Sequence, residues 1–120
     1  MESPVPESPT FKREQCLIDG AWVSGDTWIG VTDPANGDEI GRVPDLDATA
    51  ARRAVTAAEA ALPAWRARTA GERAQILKRM HDLMLTHQEA LAALLTEEQG
   101  KPLAEARGEI AYAASFLEWF

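Results

Sequence analysis

The corner Glu97-Glu98-Gln99-Gly100-Lys101-Pro102, with the stretch it launches over 103–120, constrains the fold more than any other feature. Glycine tolerates the left-handed exit of one helix, and proline fits the first turn of the next because its missing N–H costs nothing there. At about 100° per residue, Leu103, Ala106, Ile110, Ala113, Ala114 and Leu117 share one face, an ordinary core stripe. Tyr112, Phe116, Trp119 and Phe120 form a second apolar stripe roughly 120° away. A helix apolar on two flanks needs cover from two directions, since each bare aromatic forgoes on the order of 2 kcal/mol of burial. Phe120 is followed by no Gly, Asn or Pro stop, and Glu118 has the wrong sign for a helix C-terminus. The expectation is that the sequence is cut within a longer protein.

Length allows one domain with a modest core, and 46% apolar content is that of a folded chain. A net charge of −7 with no Lys/Arg run argues against nucleic acid and against an anionic membrane surface, both of which need a cationic footprint. Cys16 is the sole cysteine, so no internal disulfide or multi-cysteine metal site can form, and a reducing cytoplasmic setting is expected. It reads as a small hydrophobe on a first strand. No apolar run approaches the roughly 18 residues of a membrane span. Residues 1–14, with Pro4, Pro6 and Pro9, read as a mobile tail preceding one folded unit over 15–120.

Cys16-Leu17-Ile18 and Ala21-Trp22-Val23, joined by Asp19-Gly20, predict a hairpin whose two turn residues need positive φ. Residues 28–31 and 39–43 predict a second strand pair around the loop Asp33-Pro34-Ala35-Asn36-Gly37-Asp38. Hairpins this short must dock on something larger.

Asp45-Leu46-Asp47 opens an Ala-rich helix whose Ala51, Val55, Ala58, Leu62 and Trp65 predict a core-facing stripe. Pro63 either ends that helix near Leu62 or starts a fresh turn. Thr69-Ala70-Gly71-Glu72 has capping-box spacing, and the following helix has Ile76, Leu77, Met80, Leu83 and Met84 as its buried stripe. Thr86-His87-Gln88-Glu89 repeats the spacing, so a further helix or a kinked continuation carries Leu91, Leu94 and Leu95 to Gly100.

No glycine pattern has dinucleotide-loop or P-loop spacing. His81 and His87 stand on polar stretches without a second ligand at i+4 and read as solvent-exposed. Glu97 and Glu98 point about 100° apart and read as solvated rather than as a catalytic pair. Lys101 is expected to meet the last carbonyls of the preceding helix. On these grounds alone the chain is an α/β piece without an active site.

Four segments in register nevertheless carry a resemblance: Leu17-Ile18-Asp19-Gly20-Ala21-Trp22, Asp33-Pro34-Ala35-Asn36-Gly37, Glu72-Arg73-Ala74-Gln75-Ile76-Leu77 and Glu98-Gln99-Gly100-Lys101-Pro102-Leu103. Together they resemble the opening of the aldehyde dehydrogenase superfamily. The run from Gly108-Glu109-Ile110 through Tyr112-Ala113-Ala114-Ser115-Phe116 to Trp119-Phe120 is similar to the succinate-semialdehyde dehydrogenase branch. The resemblance implies an α/β fold, the front of a Rossmann-like cofactor domain, with short β-hairpins followed by three to four α-helices. It implies a full-length NAD- or NADP-dependent, homo-oligomeric enzyme that oxidises succinate semialdehyde through a cysteine thiohemiacetal, with a glutamate assisting thioester hydrolysis.

Those catalytic residues and the dinucleotide loop correspond to nothing in this chain, and Cys16 does not match the nucleophile's motif. The resemblance therefore assigns no catalytic or cofactor-binding residue, and the piece alone is expected to bind no cofactor and to be inactive. It places Tyr112 and Phe116 beside the aldehyde entrance. It also implies a monovalent cation held by backbone carbonyls at Val31 and Thr32 with the side chain of Glu98. The rival expectation is a small non-catalytic helical interaction protein derived from the family, its two-sided last helix serving as a docking surface.

Overall fold

A computed structural model describes residues 11–120. Two antiparallel hairpins precede four helices, the architecture expected from the sequence. Strands β1 (Cys16–Ile18) and β2 (Ala21–Val23) pair Cys16 with Val23 and Ile18 with Ala21. Asp19 and Gly20, at φ 53° and 72°, make the turn. Strands β3 (Trp28–Thr32) and β4 (Glu39–Pro44) each run one residue beyond their predicted ends, with an irregularity between Val31 and Thr32. Their loop is self-supporting, since the Asp33 carboxylate accepts from Ala35 N–H at 2.8 Å and the Asn36 side chain from Asp38 N–H at 2.9 Å.

Residues 1–10 of the predicted tail lie outside the described residues, whereas residues 11–14 are tied down. Phe11 packs on the His87 ring at 5.1 Å, the Lys12 ammonium donates to the Ile40 carbonyl, and the Glu14 carboxylate accepts from Arg42 N–H at 3.1 Å.

Helix α1 (Ala48–Ala67) starts at Asp47, whose carboxylate accepts from Ala50 N–H at 3.0 Å. It passes through Pro63 without ending there, so the predicted stop near Leu62 does not occur. Its predicted core stripe is not a core either. Ala51, Val55, Ala58, Leu62 and Trp65 are all exposed.

Helix α2 (Ala70–Thr86) is launched by the predicted capping box: Glu72 N–H donates to the Thr69 hydroxyl, and Thr69 N–H to the Glu72 carboxylate at 2.7 Å. The Thr69 N–H, and then the Thr69 hydroxyl at 2.9 Å, donate to the Glu72 carboxylate and hold it below its ordinary value. The repeat of the box at Thr86 does not form. The Thr86 hydroxyl instead donates to the Asp82 carbonyl at 2.8 Å, and α3 (Gln88–Gln99) follows as a kinked continuation through His87. Gly100 closes α3 in the left-handed conformation at φ 78°, and Pro102 opens α4 (Leu103–Trp119).

Helices α2 and α3 both pack against α4. The α2 stripe is covered only in part: Leu77 and Met84 are half-buried, while Ile76, Met80 and Leu83 stay exposed. Fully enclosed residues are alanines, Ala92 on α3 and Ala106 and Ala114 on α4. Ala113, predicted to join them, is exposed. Arg107 staples α3 to α4 through a two-pronged contact with Glu89, Nε to Oε1 at 2.8 Å and Nη2 to Oε2 at 2.9 Å, and the Gln88 amide donates to the Arg107 carbonyl. The Cα radius of gyration is 17.5 Å, against roughly 13–14 Å for a compact chain of this length. The elements fold locally but close over little apolar surface.

Candidate functional site

The second stripe of α4 is bare, as its spacing predicts. Tyr112, Phe116, Trp119 and Phe120 are 66%, 45%, 83% and 82% exposed on a helix whose other flank encloses Ala106 and Ala114. The four-residue spacing brings the Tyr112 and Phe116 rings together at 4.9 Å and 75°, the edge-to-face geometry that ring quadrupoles favour. Ser115 donates its hydroxyl to the Tyr112 carbonyl at 2.6 Å. Where the helix ends, Ser115, Phe116, Glu118, Trp119 and Phe120 line a cleft of about 490 Å³.

His81 joins α2 to this end of α4, contrary to its reading as an exposed residue. Its side chain is only 12% exposed, with Nδ1 2.9 Å from the Asp82 carboxylate and Nε2 3.6 Å from that of Glu118. The hydrogen bond from His81, then that from Lys78, holds Asp82 below its ordinary value. His87, also predicted exposed, is half-buried against Phe11. No local signal reveals either placement, because both contacts span distant segments.

A second cleft, of about 360 Å³, lies where the β3–β4 loop meets the α3–α4 corner, and is lined by Asp33, Ala35, Thr96, Glu97, Gly100 and Leu103 among others. The Thr96 hydroxyl is buried there with no hydrogen-bond partner among the described residues. Of the residues implied for a cation, Val31 and Thr32 end β3 on one side of this junction, and Glu98 stands exposed on the last turn of α3. Of the two adjacent glutamates it is Glu97, not Glu98, that lines the cleft, together with Asp33. Lys101 turns away from the α3 carbonyls to bind the Glu109 carboxylate at 2.6 Å.

This arrangement offers an aromatic wall at the end of α4. Cys16 lies on β1, half-buried and free. The glycines at positive φ sit in the two hairpin turns and at the α3 cap, and Asp47 and Thr69 cap the N-termini of α1 and α2.

Residues 22–120 match the model of the aldehyde dehydrogenase family. The chain is 61% identical over 110 residues to a glutarate-semialdehyde dehydrogenase of Pseudomonas aeruginosa, covering 90% of this chain and 23% of that protein. It is 58% identical over 110 residues to the NADP(+) succinate-semialdehyde dehydrogenase of Escherichia coli, again covering 90% and 23%. The structure superposes on a succinate-semialdehyde dehydrogenase from Burkholderia pseudomallei with a TM-score of 0.90 at 50% identity, covering 94% of this chain and 24% of that one. The chain thus spans about a quarter of the length of the relatives it matches, and corresponds to their N-terminal part.

Proposed function

The chain belongs to the aldehyde dehydrogenase family, and we propose that it is the N-terminal part of an NAD- or NADP-dependent enzyme that oxidises succinate semialdehyde to succinate. The observation that carries this reading is the bare apolar surface of α1 and α4. Val55, Leu62, Tyr112, Phe116, Trp119 and Phe120 all face outward, and a protein body several times larger, such as the relatives possess, would cover them. In this reading residues 15–120 form the front of the cofactor domain, residues 1–14 are a tail ahead of it, and the complete cytoplasmic enzyme is a homo-oligomer.

Tyr112 and Phe116 would wall the aldehyde entrance, with their edge-to-face contact fixing the two rings. The carbonyls of Val31 and Thr32 with Glu98 would hold a monovalent cation near where the β3–β4 loop meets the α3–α4 corner, a reading supported by the Thr96 hydroxyl, buried there without a partner among the described residues. Nucleophile, base and nucleotide loop are supplied elsewhere in the complete enzyme. The described residues bring no dinucleotide cradle, and the 120-residue chain is inactive by itself.

The test has two arms. The purified chain is incubated with succinate semialdehyde and NAD+ or NADP+, and no absorbance of reduced cofactor should develop. A chimera in which this chain replaces the matching 110 residues of the Escherichia coli enzyme should oxidise succinate semialdehyde. Turnover by the chain alone would refute its inactivity, and a folded, cofactor-binding chimera without turnover would refute the assignment.

A further inference from the structure

The apolar stripe of α1 faces away from the first hairpin because the opposite side of the helix faces it. Thr49, Arg52, Arg53, Thr56, Ala57 and Ala60 follow one another at helical spacing, centred about 170° from the stripe of Val55, Leu62 and Trp65. Together with Ile18 and Asp19 from the β1–β2 turn they line a cleft of about 490 Å³, within the size range of small-molecule sites. Among the described residues neither Arg52 nor Arg53 has a hydrogen-bond or ion-pair partner. The lining carries two guanidinium groups and one carboxylate, a net positive charge on a chain whose formal charge is −7. Two guanidinium groups and two hydroxyls give the cleft more donors than the single Asp19 carboxylate can satisfy.

We propose that this cleft binds a small oxyanion, a phosphate or carboxylate group gripped by Arg52 and Arg53 with the hydroxyls of Thr49 and Thr56 as further donors. The planar fork of arginine matches both kinds of anion. Ile18, 7% exposed, gives the cleft an apolar floor. Asp19 opposes the anion and limits its affinity. Because the site lies on the side of α1 away from the bare stripe, covering that stripe leaves the cleft open. The proposal is independent of the catalytic reading.

The test is calorimetric titration of the 120-residue chain at constant ionic strength, with inorganic phosphate in one series, succinate in a second and sodium chloride as reference. Saturable heat with either oxyanion is expected, and which one saturates at lower concentration identifies the anion class. Arg52→Gln and Arg53→Gln should each weaken binding on the order of fivefold, with Arg53→Lys falling between because it keeps the charge and loses the fork. Asp19→Asn should tighten binding, and asparagine tolerates the positive φ of that position. Arg66→Gln, on the last turn of α1 away from the cleft, should change nothing. Heats no different from those with sodium chloride, or an equal loss in Arg66→Gln, would overturn the proposal. So would a chain without a helical far-ultraviolet dichroism spectrum, since the cleft exists only when α1 docks on the hairpin.

Discussion

Pro34 seats directly on Gly100: a Cβ built on the glycine would stand 2.8 Å from Pro34 Cγ. The same glycine holds φ at 78°, so one residue both ends α3 and makes room for the β3–β4 loop. Two costs therefore meet in Gly100→Ala, the left-handed backbone at about 1 kcal/mol or more and the collision with the proline ring, for a loss of roughly 2–3 kcal/mol. Urea denaturation should record that loss. Adding Pro34→Ala should recover only the steric share, and full recovery would mean that backbone conformation costs nothing here.

Ala106 and Ala114 have no exposed surface, which leaves no space for a larger side chain on that flank of α4. Ala106→Leu should destabilise the chain by about 1–3 kcal/mol despite adding apolar area. Tyr112→Ala, on the opposite flank of the same helix, should cost far less. Thermal melts of the two variants would reverse this order if the packing described were wrong.

Thr69 supplies the hydroxyl that caps α2. Thr69→Ala should cost about 1 kcal/mol, and Thr69→Ser should keep most of the stability because its oxygen occupies the same place. A serine variant as weak as the alanine variant would count against the hydrogen bond as the cause.

The Arg107–Glu89 bond holds the Glu89 carboxyl below its ordinary value of 4.5. Since the folded value is the lower one, this contribution is present above pH 4.5 and is lost as pH falls through the depressed value. Resistance to urea should decline on acidification in that window, and Glu89→Gln should flatten the decline. Added salt should weaken the contribution at neutral pH, because both groups are open to solvent.

Trp119 and Phe120 are more than four-fifths exposed, so their removal should leave the unfolding midpoint almost unchanged while reducing self-association. Sedimentation velocity of Trp119→Ser should show a smaller fraction of aggregates than wild type. An equal fraction would mean that the aromatic face is not the sticky surface.

The sequence alone determined what depends on a few neighbouring residues. Asp19-Gly20 required a turn, Thr69 and Glu72 a capping box, Gly100 a left-handed stop, and the spacing of Tyr112 and Phe116 a second apolar flank on α4. Each follows from backbone sterics or helical pitch, which act over one or two turns of chain. Tertiary structure decided which surfaces meet. Periodicity shows that Val55, Leu62 and Trp65 share a face but not what lies opposite it, and the first hairpin's turn instead stands across a cleft from the polar side, at Thr49, Arg52 and Arg53. Likewise His81 became a bridge to Glu118 only because α2 and α4 lie side by side. Burial belongs to pairs of surfaces brought together from distant parts of the chain, and the pattern of one helix describes only half of such a pair.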